Sequence, residues 1–267
     1  AASDVYKRQV IIILLCLLFI VGVNFFVDPY GYFRAQKGEN YSMDEEDYLR
    51  EQKAEHIKYH GNEYDAFLVG GSKAGAIHSD KLSEIDGYKY YNCWLLSGNF
   101  EDYYNYCKYI VNTAHPKKIL LHISTSEIAQ FDREAKGDIY EIPAVMSGNS
   151  KVAEVTKFLF KNLSVSWDTI TAKEDSYPVE KTGERNLSKY YAYYRDHKDT
   201  TTYYDYLMKA QVDPYLPRLI HGTKDKTDLV NSNLSYLKKI KQLCDKNKVE
   251  LQVFRGSLFI GEMVGYE

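Results

Sequence analysis

The sequence predicts an α/β protein: a mostly parallel sheet with helices on both faces, three layers in all, behind one N-terminal transmembrane helix. Three observations carry this reading. After residue 64, short apolar runs alternate with helical patterns, as in successive βαβ units. Residues 10–27 are apolar apart from Gly22 and Asn24. A glycine pair and a serine follow the first apolar run, in Phe67-Leu68-Val69-Gly70-Gly71-Ser72-Lys73-Ala74-Gly75. With 267 residues the chain can bury a sizeable core, and a formal net charge of −3 asks for no nucleic acid.

The apolar run at 10–27 is about eighteen residues long, near the lower limit for crossing a bilayer. Lys7 and Arg8 precede it, which puts a cytoplasmic (or non-native) tail at 1–9 on the inner side. No Ala-x-Ala cleavage pattern follows, and Asp28-Pro29-Tyr30-Gly31 reads as a turn leaving the membrane. The expectation is a single-pass signal anchor at 10–27 in the cell membrane, with everything beyond about Asp28 outside the cytoplasm.

The remaining elements follow from periodicity and punctuation. Residues 28–64 read as a linker and a leading helix over 43–60. Residues 65–69 form the first strand, and 74–82 can start a helix. An aromatic second strand at 88–94 precedes an amphipathic helix at 100–113, ended by His115-Pro116. The third strand covers 117–123, and one helix covers 151–170. Residues 172–228 are polar and tyrosine-rich, and read as an insertion or lid with some helix around 190–207. A helix at 229–247 places Leu234, Leu237, Ile240 and Leu243 on one face, and a fourth strand covers 249–254.

None of the four cysteines forms a Cys-x-x-Cys pair, so no zinc or thioredoxin-like site is expected. Cys93, Cys107 and Cys244 read as packing thiols, with a Cys93–Cys107 disulfide left open. The 26 tyrosines suit a glycan surface or ordinary amphipathic packing.

Functional groups of parallel sheets gather beyond the C-terminal ends of the strands. Ser72 follows the first strand, Gly98 and Asn99 the second, Ser124 to Glu127 the third, and Gly256 and Ser257 the fourth. Ser72 is the candidate nucleophile. The backbone N–H groups of Ser72 and Gly98 could face an oxyanion, with a side-chain donor from Asn99, Ser124 or Ser126. Asn99 also reads as the N-cap of the helix that follows, and Gly98 as a turn glycine. No histidine stands out as the base. His56 and His60 fall on a helix read as solvated, His78 points away, His115 lies in a connection, His122 reads as a core residue, and His197 and His221 fall in the insertion. Gly70 to Gly75 lacks the spacing of a phosphate-binding loop.

Together these residues resemble the SGNH/GDSL hydrolase superfamily, in a membrane-anchored bacterial branch that handles cell-envelope polymers. The likeness covers about 65–267. Gly70-Gly71-Ser72-Lys73 stands at the family's serine block, and Gly98 at its glycine block. Ser124-Thr125-Ser126-Glu127 stands where the family places an asparagine, and holds none. The closing Asp-x-x-His block, source of the base, does not occur in this sequence. The expectation is a piece of a longer protein, cut before that block, with a degenerate family member as the alternative. The resemblance implies a flavodoxin-like architecture and a serine esterase or O-acyltransferase. It would act on a cell-envelope polysaccharide or related acyl ester through an acyl-enzyme on Ser72, with no cofactor or metal. The competing expectation is a non-catalytic envelope-assembly scaffold or glycan-binding module.

Overall fold

A computed structural model of the chain describes residues 2–38, 48–124, 127–128, 140–161, 163–171, 181–187, 195–196 and 227–256. The four apolar runs form β1 (Ala66–Gly70), β2 (Tyr90–Trp94), β3 (Lys118–Ile123) and β4 (Glu250–Arg255). They pair only in parallel, in the order β2-β1-β3-β4. Every residue of β1 and β2 is buried, which is why these runs show no polar alternation. In register, Val69 faces both Cys93 and Leu121.

The helices are α1 (Ala2–Val27), α2 (Tyr32–Ala35), α3 (Leu49–His60), α4 (Ser79–Asp86), α5 (Phe100–Ala114), α6 (Ala144–Ser147), α7 (Lys151–Leu159), α8 (Leu163–Thr171) and α9 (Thr227–Asn247). Strand side chains alternate between two clusters. Phe67, Val69, Tyr91, Cys93, Ile119 and Leu121 pack with Tyr103, Cys107 and Ile110 of α5 and Ile240 and Cys244 of α9. Ala66, Leu68, Tyr90, Trp94 and Leu120 pack with Ala74 and with Leu82 of α4. The cysteines are all thiols, so Cys93 and Cys107 pack without a disulfide.

The helix expected at 74–82 is broken into a 3-10 turn (Ala74–Ala76) and α4. Gly75 lies flat on Trp94, where a Cβ would sit 2.7 Å from the indole. Its carbonyl accepts from Arg185 N–H at 2.8 Å, and Ile77 is extended. The single helix expected at 151–170 is two, α7 and α8. The Asn24 amide donates to the carbonyls of Leu159 and Lys161 at the break.

The leading helix α3 is not solvated. Arg50, Glu51, Gln52, Lys53, Glu55 and His56 are all buried. Arg50 pairs with Asp102 at 2.8 Å, and Lys53 Nζ donates to the carbonyls of Asn92 and Gly183. Most of the expected insertion lies outside the described residues. Its piece 181–187 covers the β2 edge, with Asn92 N–H donating to Thr182 O at 2.8 Å. α1 is long and apolar enough to cross a membrane. An 18-residue window within Asp4–Val27 has a mean hydropathy of 3.2, and 6% of that window is buried in the protein.

Candidate functional site

From β1 the chain crosses to β2, and from β3 it crosses to the opposite edge and β4. The crevice beyond the C-terminal ends of β1 and β3 is therefore a topological switch point, where ligands of open parallel sheets bind. The turn after β1 carries Ser72, and the turn after β3 carries Ser124 and Glu127.

The two glycines before Ser72 are needed for space rather than for a left-handed turn, since neither has a positive φ. A Cβ on Gly70 would lie 2.8 Å from Ala74 Cβ and 2.9 Å from His122 Cβ. A Cβ on Gly71 would lie 2.2 Å from Glu127 Oε1 and 2.9 Å from the Tyr103 hydroxyl. Glycine at 71 thus lets a buried carboxyl close onto the backbone next to Ser72. Ser72 itself is half-buried.

Glu127 is held by a capping box. Ser124 N–H donates to Glu127 Oε2 at 2.8 Å, and Glu127 N–H donates to Ser124 Oγ at 3.3 Å. Asn233 of α9 donates to the carbonyl of Ile128 at 2.7 Å, bracing the same turn. Burial pushes the Glu127 carboxyl up to about 7, against the bonds from Ser124, the Tyr103 hydroxyl and the charge of Lys73.

The Tyr103 hydroxyl ties the three turns together. It donates to Gly98 O at 3.0 Å, lies beside the Glu127 carboxyl, and abuts Gly71. Burial and the neighbouring Glu127 raise its phenol well above the ordinary range, so it stays a donor. A Cβ on Gly98 would lie 2.7 Å from the Tyr103 ring, which explains that glycine.

The turn after β2 is closed by a second capping box. Asp102 N–H donates to Asn99 Oδ1 at 2.9 Å, and Asn99 N–H donates to Asp102 Oδ2 at 3.3 Å. Asp102 also carries the buried pair with Arg50, whose guanidinium donates to Leu96 O.

Among the sequence candidates, Gly98, Ser124 and, through Gly71, the turn that carries Ser72 come together around Tyr103 and Glu127. Asn99 acts as a helix cap. Gly98 N–H donates to Leu95 O at 3.3 Å, a long bond within its own turn. Ser126 lies outside the described residues, as does Ser257. His122 is buried between Gly70 and Phe254, and its Nδ1 has no partner among the described residues. Burial, then the charge of Lys73, pulls it down to about 4, so its imidazole is neutral.

The sequence reading did not single out Tyr103, nor give Glu127 a role. The Ser-x-x-Glu pattern ahead of Ile128 was a signal for Glu127. No local pattern marks Tyr103. Away from this crevice, His78, Asp80 and Glu184 bring ligand atoms within 4.8 Å of one another, a grouping that could hold a metal ion. Glu184 Oε2 already accepts from Ser79 Oγ at 2.8 Å. No protein-family model, curated protein or solved structure matches the chain.

Proposed function

We propose that the chain is a membrane-anchored SGNH-like serine esterase or O-acyltransferase with its catalytic domain outside the cytoplasm. The strand order β2-β1-β3-β4 fits a flavodoxin-like three-layer arrangement, and α1 fits the anchor. The observation that carries the reading is the closure of a buried carboxyl, Glu127, onto Gly71 beside Ser72 at the switch point.

In this reading Ser72 Oγ attacks the carbonyl carbon of an acyl ester. Its proton passes to Glu127, whose carboxyl titrates near 7 and is matched to base work at neutral pH. His122, held near 4, is the poorer base there. The alcohol leaves, and water or a sugar hydroxyl takes the acyl group from Ser72. The chemistry suits an acylated cell-envelope polysaccharide. The test is labelling of the chain by a fluorophosphonate, with Ser72→Ala as control. Labelling abolished by the substitution supports the reading, and no difference between the two proteins sinks it.

A second reading is favoured by a different observation. Asn99, Ser124 and Gly98 N–H are already engaged in caps and a turn. A scaffold or glycan-binding module would need none of them free, and absence of labelling in both proteins would support it.

A further inference from the structure

Asn24 is the one strongly polar side chain in the apolar run of α1, and it is buried. Its amide donates to Leu159 O at 3.0 Å and Lys161 O at 2.8 Å, and its carbonyl accepts from Ser166 Oγ at 2.7 Å. The junction between α7 and α8 is therefore fixed to α1 at residue 24. Further contacts run along the two elements, for Ile170 shares a groove with Phe19, Gly22, Val23, Phe26 and Val27.

Depth follows from helix geometry. A hydrocarbon core of about 30 Å takes about 20 helical residues at 1.5 Å each. Counted from Val10, the span ends near residue 29, which leaves Asn24 about 8 Å inside the outer boundary. If Lys7 and Arg8 snorkel back by one turn, Asn24 still only reaches that boundary. Lipid offers its amide no partner, and the junction supplies all three.

α7 and α8 are apolar on two sides. Val155, Phe158 and Val165 face inward, against Tyr30 and Tyr32. Val152, Phe160, Trp167 and Ile170 face outward, at 75%, 49%, 66% and 57% exposure. A water-facing surface would not carry these four residues beside the end of an apolar anchor. Tryptophan at such a level matches the aromatic belt of membrane proteins. Asp168, exposed beside Trp167, limits the depth to the headgroup and upper acyl region.

We infer that the α7–α8 segment is a second membrane contact, seated in the outer leaflet against α1, so that the domain is held to the bilayer at two places. This rests on reading α1 as a membrane span. It goes beyond a tether, because a domain fixed at two points cannot swing freely about residue 28, and the crevice keeps one height and orientation above the bilayer.

The chain has two tryptophans, and Trp94 is fully buried in the domain core, so lipid quenching reports Trp167 alone. The full chain is reconstituted into vesicles whose lipids are brominated near the glycerol or near the acyl terminus. The inference expects loss of emission with the shallow bromines, and its disappearance in Trp167→Phe. Adding Leu14→Trp to that variant places a reporter in mid-span, quenched by the deep bromines. If Trp167 is quenched by aqueous iodide and by neither lipid while Leu14→Trp responds, the inference of a second membrane contact fails and the span stands. If Leu14→Trp does not respond either, the span reading fails and takes the inference with it.

Discussion

Gly71→Ala should be far more damaging than a methyl group suggests. The new Cβ would lie 2.2 Å from Glu127 Oε1, well inside van der Waals contact, and 2.9 Å from the Tyr103 hydroxyl. The strand and Tyr103 are in the core, so the easiest relief is rotation of the Glu127 side chain. That rotation breaks the bond from Ser124 N–H and the link to Tyr103. Loss of a cap costs about 1 kcal/mol, and one extra carbon in a packed core about 1–3 kcal/mol. The sum is about 2–4 kcal/mol, which lowers Tm by roughly 4–16 °C in a domain of this size. Thermal unfolding of the detergent-solubilised chain measures it, in a cycle with Glu127→Ala. With the carboxyl gone only the 2.9 Å approach to the Tyr103 hydroxyl remains, so the penalty of Gly71→Ala in that background should be smaller by about 1 kcal/mol or more. An equal penalty in both backgrounds would refute the claim that Gly71 exists to admit Glu127.

Three further outcomes follow from the same contacts. Glu51 and Glu127 are both raised from 4.5 to about 7, chiefly by burial, so folding favours their protonated forms. The stability they contribute is complete below pH 4.5 and is lost as pH rises through 7, while His56 and His122, pulled down by burial to about 3 and about 4, act in the opposite sense; with Tm measured from pH 4 to 8, the native chain should therefore lose stability relative to Glu127→Gln as pH rises. Arg50→Met or Asp102→Leu alone breaks the buried ion pair and should cost about 3–5 kcal/mol. The double variant should recover part of that loss, and denaturant titration of all three proteins checks it. Asn24→Leu makes α1 more apolar yet strips the carbonyls of Leu159 and Lys161, and should cost about 1–3 kcal/mol. Faster proteolysis at residues 160–162 is the readout.

The first three strands were legible because they are buried almost throughout, whereas β4 is largely exposed. Residues 66–70 and 119–121 are apolar with no alternation, and periodicity with length fixes them as parts of buried strands. Their parallel pairing followed from the helices between them. What misled was tertiary. The buried character of α3 is invisible in Leu-Arg-Glu-Gln-Lys-Ala-Glu-His, because its partners Asp102, Asn92 and Lys151 are supplied from far along the chain. The break after Ala76 depends on Trp94 beneath Gly75, and the break between α7 and α8 coincides with bonds from Asn24. At the crevice, the positions of Ser72, Gly98 and Ser124 were read from strand ends alone. The reasons for the glycines were not, since Tyr103 and Glu127 approach them through space. Asn99 and Ser124 show the ambiguity of short polar residues after strands: the residue types that could hold an oxyanion also cap helices.

The most direct test of the central claim is the rate of Ser72 labelling by a fluorophosphonate as a function of pH, in the full chain and in Glu127→Gln. If Ser72 and Glu127 form one site, the native rate rises as pH passes through about 7. Glu127→Gln then labels at least tenfold more slowly at pH 8, the low end of general-base contributions of about 10²–10⁴, without that inflection. Equal rates and the same pH profile in both proteins would contradict it.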